Sequence, residues 1–362
     1  MKIETKELKI PIIQGGMGIG VSLGNLAGHV AKCGALGLIS SVNAGYKETG
    51  FGADPKGANL FALKNEILKA KSIADGNGLV GVNIMCAVSN YEETCRLAAE
   101  AGADVIVSGA GLPLKLPEYV AGTETLIAPI VSGGKAAALL CRNYSKKYGR
   151  LPDFFVLEGH MAGGHLGFSY EELMNHTAKT NEELLEEVLE AVKPYEEGDG
   201  RLIPVFVAGG VFDGRDMARM MKLGAAGVQI GTRFIATKEC DAHENFKRMM
   251  VNAKAEDVRI IASPVGMPAR ALDSPLIQRL EKGEKFRPLR CSNCLTGCKK
   301  GDSIPYCISR ALIEAVQGNT EDGLFFCGEN VHRINQIVTV EELMNGIVKE
   351  CETEGVCIYP KS

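Results

Sequence analysis

Short apolar runs alternate with longer amphipathic stretches along roughly the first 260 residues of the chain. The short runs are rich in β-branched residues and predict buried strands at 10–13, 36–39, 79–84, 104–107, 125–131, 154–157, 203–207 and 227–230. The amphipathic stretches predict helices at 58–74, 90–101, 134–147, 181–192 and 214–223. Strands and helices in this alternation predict an α/β fold, a parallel sheet closed into a (β/α)8 TIM barrel.

An open, doubly wound sheet is the alternative fold for such an alternation. That fold would carry a GxGxxG turn after its first strand and an acidic residue about 20 positions further on. The first turn here, GGMGIG at 15–20, matches only loosely, and SSVN at 40–43 follows the second strand in place of an acid. The pattern therefore favours the closed barrel.

The barrel pattern stops near residue 262, and the composition changes there. Residues 264–310 are rich in Pro, Gly, Arg, Lys and Cys, whereas 340–352 again predict an amphipathic helix. We predict a barrel at 1–262, a lid or insert with a cysteine cluster at 263–335, and a C-terminal helix and tail at 336–362 that pack on the barrel.

Charge and hydropathy exclude some classes of function. The net charge of −4 argues against a general nucleic-acid binder, which needs a basic surface. No apolar run approaches the ~18 residues that span a bilayer, and the charged N-terminus is unlike a secretory signal. We expect a soluble, cytoplasmic protein that acts on a small molecule and forms a homo-oligomer.

Glycine-rich turns follow the seventh and eighth predicted strands. Gly209 and Gly210 follow one strand, and Gly231 and Thr232 follow the next. Such turns expose backbone N–H groups at helix N-termini, and these two loops bind phosphate in many barrels of this type. Either turn alone is typical of an ordinary βα connection, but the two together predict a phosphate site.

A flat ring fits the turns at the other side of the predicted mouth. Gly15, Gly16 and Met17 follow the first strand, and Asn83 lies in the third. Glycine lets a ring lie against the backbone, and Asn83 can hydrogen-bond a ring edge. Flavin mononucleotide (FMN) fits this arrangement, but the spacing also fits a phosphorylated substrate.

His165 is the candidate catalytic residue. It lies in the glycine-rich segment AGGHLG after the sixth strand, and an ordinary histidine pKa near ~6.5 allows proton exchange at neutral pH. A turn histidine that is bonded to backbone is the alternative. His160, in the same loop, is either a supporting partner or structural.

Several motifs together resemble one family of flavoenzymes. PIIQGGMG, EGHMAGGHLG, PVFVAGG and VQIGTRF, with SPVGMPAR at 263–270, resemble the nitronate monooxygenases and the FMN-type enoyl-acyl-carrier-protein reductases. The resemblance implies a barrel with a small extra domain over its mouth and one non-covalent FMN. The positions that match FMN contacts are Gly16, Met17, Asn83, Gly164, Gly209, Gly210, Gln229, Gly231 and Thr232.

The resemblance implies two activities. His165 matches a histidine that acts as a base beside the nitro carbon in the nitronate enzymes, and that supports hydride transfer from a nicotinamide through the flavin in the reductases. Oxidation of alkyl nitronates is our nominal prediction. The alternative is NAD(P)H-dependent reduction of an enoyl-acyl-carrier protein or a quinone, with a carrier protein or an electron-transfer protein as partner.

Four of the twelve cysteines lie close together in the sequence. Cys291, Cys294, Cys298 and Cys307 have the spacing C-x2-C-x3-C-x8-C. An iron–sulfur cluster, a zinc or other metal site, and free thiols or a disulfide all remain open. The flanking basic residues are Lys282, Lys285, Arg287, Arg290, Lys299 and Lys300.

The cysteine group departs from the pattern of the resembling family. A cluster beside the flavin would favour electron transfer over direct use of dioxygen. Two other classes of function stay open on the sequence. One is a flavin-free barrel lyase or isomerase with a phosphorylated substrate, and the other is a non-enzymatic redox or metal sensor.

Overall fold

A computed structural model describes residues 1–287, 291–296, 298 and 304–358 of the chain. The described strands are β1 (Lys2–Ile3), β2 (Lys6–Glu7), β3 (Ile12–Gln14), β4 (Leu36–Ser40), β5 (Leu79–Met85), β6 (Val105–Gly109), β7 (Leu126–Val131), β8 (Phe155–Glu158), β9 (Gly164–His165), β10 (Val205–Ala208), β11 (Gly227–Ile230), β12 (Val258–Ala262) and β13 (Pro268–Leu272). The described α-helices are α1 (Gly24–Lys32), α2 (Pro55–Ala74), α3 (Tyr91–Glu100), α4 (Leu116–Tyr119), α5 (Gly134–Tyr148), α6 (Tyr170–Met174), α7 (Asn181–Asp199), α8 (Gly214–Lys222), α9 (Thr232–Ile235), α10 (Glu244–Asn252), α11 (Pro275–Glu281), α12 (Ile308–Val316) and α13 (Val340–Thr353). Short 3₁₀ turns lie at Ala255–Asp257 and Glu329–Arg333.

The strands predicted from the sequence close into one barrel. Within the described residues the order is β3-β4-β5-β6-β7-β8-β10-β11, all neighbours are parallel, and β11 returns to β3. The α/β barrel prediction is confirmed, and each predicted strand overlaps an observed one. Since parallel strands all end on the same side, their carboxyl ends gather at one mouth.

Side chains of alternate strand residues fill the inside of the barrel, and the others meet the helices. Inside, Phe154 and Phe206 meet edge to face with their ring centroids 5.2 Å apart. The hairpin of β1 and β2 adds buried Ile3 and Leu8 to the same apolar cluster. The short N-terminal hairpin was not predicted, because two-residue strands leave no periodic pattern.

Glycines end three of the wall helices, as the sequence predicts. Gly34, Gly102 and Gly224 follow α1, α3 and α8 with φ of +91°, +83° and +104°. This left-handed conformation strains any residue with a Cβ, so glycine is the usual stop at these places.

A small antiparallel sheet, here called the mouth sheet, consists of β12, β13 and β9. Strand β13 lies in the middle, pairing with β12 along five residues and with β9 at Gly164 and His165. The domain boundary predicted at 262–263 falls inside the hairpin between β12 and β13. That hairpin begins at Val258, and the backbone pairing holds both of its strands in one unit.

The C-terminal helix α13 lies against α8 and α1 of the barrel wall. A Cβ on Gly214, the first residue of α8, would lie 2.1 Å from the carbonyl oxygen of Ile347, so the two helices touch through backbone. Among the described residues no helix has the length and apolar character needed to cross a bilayer.

A stability prediction follows from the packing of α1 on β4. A Cβ on Gly37 would lie 2.0 Å from the backbone oxygen of Ala27, which cannot move without shifting the helix. We expect Gly37→Ala to lower the free energy of unfolding by about 1–3 kcal/mol, the usual cost of overpacking. Urea unfolding followed by circular dichroism measures the change.

The matched control is Gly50→Ala, because no atom lies within 4 Å of a Cβ at this exposed glycine. We expect its unfolding midpoint to equal that of the wild type or to rise slightly. Equal midpoints for Gly37→Ala and Gly50→Ala would contradict the packing of α1 on β4.

Candidate functional site

A cavity of about 460 Å³ lies at the carboxyl ends of the barrel strands and reaches the mouth sheet. Its volume is in the range of about 300–1,000 Å³ that is usual for ligand sites. The structure brings together every residue predicted to contact flavin, and the candidate catalytic histidine with them. They are Gly16, Met17, Asn83, Gly164, His165, Gly209, Gly210, Gln229, Gly231 and Thr232.

The turn after β3 approaches β5 too closely for any side chain. A Cβ on Gly16 would lie 2.2 Å from the Cβ of Asn83. The N–H of Met17 donates to the Ser22 hydroxyl at 2.8 Å, which fixes the next residue of the turn. The Asn83 amide lines the cavity and has no protein partner among the described residues, so it can bond a ligand.

Gln229 carries an unpaired acceptor at the cavity wall. Its side chain is 8% exposed, and its Oε1 has no hydrogen-bond partner in the described part of the chain. A buried acceptor without a partner is costly, so a ligand with an N–H donor would stabilise it. The flavin ring carries such an N–H donor, so the unpaired Oε1 of Gln229 is compatible with bound FMN.

The turn after β10 lines the cavity, and its two carbonyl oxygens are held by hydrogen bonds. Gly209 and Gly210 have φ of +85° and +84°, and the side-chain amides of Asn181 and Asn330 donate to their carbonyl oxygens at 2.6 and 2.7 Å. Since the C=O and N–H of one peptide point in opposite directions, these bonds aim the next N–H groups away from the two asparagines. Consecutive N–H groups of this kind form an anion-binding nest.

Thr232 and Arg233 complete the phosphate-binding surface. The Thr232 hydroxyl accepts the N–H of Gly328 at 2.8 Å, so its own proton remains available to a ligand. The Arg233 guanidinium lies 4.1 Å from the Phe212 ring centroid and lines the cavity, without an ion pair among the described residues. Sequence reasoning missed Arg233, although it follows Thr232 directly in the GTRF motif.

Arg333 offers a contrast on the same aromatic ring. Its guanidinium lies 4.2 Å from the Phe212 centroid, but it pairs with Asp213 at 2.6 Å. Arg233 forms no such ion pair among the described residues, so its charge is available to an anion in the cavity that it lines.

His165 is held by the mouth sheet. It lies on β9, pairs with Ala269 of β13, and its Nε2 is 2.8 Å from the Ser263 hydroxyl. The Phe326 ring meets the imidazole edge to face, with centroids 5.4 Å apart. Burial lowers the pKa of His165 to about 4, so the ring is neutral at pH 7.

The segment between β8 and β9, here called the histidine loop, is held by a buried arginine. Arg270 is 5% exposed and donates from Nη1 to the carbonyl oxygens of His160 and Ala162, both at 2.6 Å. The side chain of His160 instead bonds the Lys179 carbonyl oxygen and is not among the cavity residues. Of the two roles considered for His160, a structural role is therefore favoured over that of a supporting partner of His165.

Glu158 is a further cavity residue. It begins the motif EGHMAGGHLG, but the sequence analysis predicted no role for it. It ends β8, lines the cavity, and its carboxyl has no hydrogen-bond partner among the described residues. Burial raises the pKa of Glu158 to about 7, so the carboxyl is partly protonated at neutral pH. Its position at the carboxyl end of a barrel strand, where active-site residues usually lie, could have indicated a functional role.

The cysteine group has no structural support as a metal site. The thiol of Cys294 is 2.9 Å from the Ser309 hydroxyl, and Cys307 precedes α12. Among the described residues no three His, Cys, Asp or Glu side chains converge to hold a metal. Arg290, Lys299 and Lys300 lie outside those residues, so a cysteine-bearing lid with an iron–sulfur cluster stays a prediction.

The chain is similar along its length to known proteins. A family model described as nitronate monooxygenase matches residues 1–350. A probable nitronate monooxygenase of Staphylococcus saprophyticus is 24% identical, over 97% of this chain and 98% of that protein. The (3aS,4S,5R,7aS)-5-hydroxy-7a-methyl-1-oxo-octahydro-1H-indene-4-carboxyl-CoA dehydrogenase of Rhodococcus jostii is 26% identical, over 94% and 92% respectively.

Solved structures agree with this similarity. FabK from Thermotoga maritima superposes with a TM-score of 0.72 at 28% identity, covering 96% of this chain and 94% of that chain. The family model spans the barrel, the mouth sheet and most of α13. The chain therefore belongs to the nitronate monooxygenase family of flavin-dependent oxidoreductases.

Proposed function

We propose that the chain is an FMN-dependent oxidoreductase that acts on the carbon–carbon bond next to the carbonyl of an acyl thioester. The observation that carries the proposal is the presence of Glu158 and His165 in one cavity, with His165 neutral and the Glu158 carboxyl partly protonated at pH 7. Titratable groups whose environments shift their pKa values in this way mark acid–base roles.

The cavity has features that suit both the phosphate and the ring of FMN. The nest at Gly209 and Gly210, the Thr232 hydroxyl and the unpaired Arg233 suit its phosphate. The residues that would contact the ring are Gly16, Met17, Asn83 and Gln229. Bound there, FMN would supply the hydride chemistry, while the protein supplies orientation and protons.

The protein side chains supply what a conjugated thioester needs besides the hydride. Reduction of its double bond places a hydride on the β-carbon and a proton on the α-carbon. Glu158, with a pKa of about 7, holds such a proton, and neutral His165 can donate a hydrogen bond to the carbonyl oxygen. Phe326 and Met267 line the cavity from the mouth-sheet side.

The relatives support this substrate class. The dehydrogenase of Rhodococcus jostii is named for a carboxyl-CoA substrate, and its similarity runs through 94% of this chain. A CoA thioester and a carrier-protein thioester have the same reacting carbons, so either carrier is compatible with the site.

Nitronate oxidation is the second candidate. The family model and the Staphylococcus saprophyticus relative favour it, and neutral His165 could bond a nitronate oxygen. Nitronate oxidation requires no proton donor, so Glu158 would have no part in it. The unpaired carboxyl in the cavity is why we rank the thioester first.

Anaerobic stopped-flow absorption of the FMN-loaded protein tests the proposal. We expect NADH or NADPH to bleach the flavin band and crotonyl-CoA to restore it, because the thioester accepts the electrons. We expect His165→Asn to slow the second step and the control His160→Asn, outside the cavity, to leave it unchanged. Bleaching by ethyl nitronate, with no response to either nicotinamide, would instead establish the second candidate.

A pH dependence follows from Glu158. A carboxyl with a pKa of about 7 carries its proton below pH 7 and loses it above, so thioester reduction should fall as the pH rises through 7. We expect Glu158→Gln to lower kcat by about 10²–10⁴, typical of removing a general acid, and to abolish this limb of the profile.

The control for this profile is Glu171→Gln, which removes an exposed carboxylate on α6 outside the cavity. It should retain the wild-type pH profile. A Glu158→Gln enzyme whose profile still falls near pH 7 would show that another group is the proton donor.

A further inference from the structure

We infer that a second cavity beside the flavin cavity binds the pantetheine arm of the thioester substrate. This arm is the amide-bearing chain that coenzyme A and acyl-carrier proteins share, so the inference places the part of the substrate that lies beyond the reacting carbons. It rests on the proposed function, because only a thioester substrate brings such an arm to the site.

The second cavity has a volume of about 470 Å³ and lies at the carboxyl ends of β4 and β5. Its walls are the residues after β4, the start of α2, the loop before α3 and the segment 291–294. Ser89 holds that last segment, because its N–H donates to the Cys294 carbonyl oxygen at 3.2 Å and its hydroxyl to the Asn293 carbonyl oxygen at 2.5 Å. Segments that are distant in sequence therefore meet around this cavity.

Val42 joins the two cavities, since it lines both of them. It lies beside the first glycine turn, where a Cβ on Gly18 would be 3.5 Å from the Cβ of Val42. The proposed ring contacts Gly16 and Asn83 are on this side of the flavin cavity, whereas the phosphate-binding turns follow β10 and β11. A substrate placed over the ring can therefore extend past Val42 into the second cavity, away from the flavin phosphate.

The charged side chains of the second cavity already have protein partners. Lys56 forms an ion pair with Glu93 at 2.6 Å, and Asp54 accepts the N–H of Gly57 at 2.9 Å as the N-cap of α2. No unpaired cation remains among the described residues that line this cavity, in contrast to Arg233 in the flavin cavity. The second cavity therefore suits an uncharged part of a ligand, and not the phosphates of a nucleotide.

Neutral polar groups are the ones left for a ligand. The Asn90 side chain precedes α3 without capping it and has no hydrogen-bond partner in the described part of the chain. Asn43 is 3% exposed and Ser41 is 7% exposed, and Nδ2 of Asn43 and Oγ of Ser41 also lack partners among the described residues. Because buried donors without acceptors are costly, a ligand that brings amide carbonyl groups would stabilise this wall. The pantetheine arm carries amide groups along its length, and each of them can both accept and donate.

Calorimetric titration of the FMN-loaded protein with saturated thioesters tests the inference without turnover. Butyryl-pantetheine carries the whole arm, whereas butyryl-N-acetylcysteamine ends after its first amide group. We expect the wild type to bind butyryl-pantetheine about tenfold more tightly, because the longer arm forms additional hydrogen bonds. Butyryl-CoA distinguishes the carriers, since still tighter binding indicates free coenzyme A and equal binding indicates a carrier protein.

Gly52 offers the variant that obstructs the second cavity. It lines that cavity, no atom lies within 4 Å of a Cβ there, and its backbone is not left-handed. We expect Gly52→Phe to remove the tenfold difference and to leave the binding of butyryl-N-acetylcysteamine unchanged. The matched control is Gly50→Phe, which has the same open surroundings but is not among the cavity residues, and should keep the difference. Asn90→Ala removes the free amide and should reduce the difference by a second route.

Equal affinities of the wild type for the two short thioesters, or a full tenfold difference in both Gly52→Phe and Asn90→Ala, would overturn the inference. Weaker NADH binding in Gly52→Phe with unchanged thioester binding would also overturn it, because the cavity would then hold a nucleotide. A tenfold difference without any reoxidation of the flavin by crotonyl-CoA would count against the proposed function alone.

Discussion

The backbone pairing of β9 with β13 is the contact on which the site depends. Strand β9 has only Gly164 and His165, so it has no stability of its own, and β13 supplies its hydrogen-bonding partner. Buried Arg270 on β13 reinforces the pairing through the carbonyl oxygens of the histidine loop. The same hairpin carries Ser263, so one small sheet fixes both the position of the imidazole and the atom bonded to it.

Charge is distributed unevenly across the cavity. The phosphate side has backbone donors and the unpaired Arg233, whereas the reacting side has His165 and Glu158, whose charged forms are disfavoured by burial. A single physical cause, removal from water, lowers one pKa and raises the other. The cavity can therefore hold a dianionic phosphate at one end and exchange protons with a neutral substrate at the other.

Local signals account for what the sequence predicts well. Strands, helix stops and the glycine turns at Gly16 and Gly210 each depend on a few neighbouring residues, so they can be predicted from the sequence. Ser263 is 98 positions from His165, and nothing in either segment indicates that they touch. The pKa values of Glu158 and His165 arise from burial, which depends on the whole fold, so the sequence shows the residue types but not their protonation.

FMN binding is the decisive measurement for a flavin site in this cavity. Titration of the apoprotein, followed by flavin fluorescence, should show one FMN per chain. Gly210→Ala should weaken binding by about tenfold or more, because its Cβ would lie 2.9 Å from the sulfur and 3.1 Å from the Cβ of Met161, which packs against this turn. Gly200→Ala, with φ of +71° but no atom within 4 Å, carries similar backbone strain and should bind FMN like the wild type. Absence of FMN binding by folded wild-type protein would show that the cavity is not a flavin site.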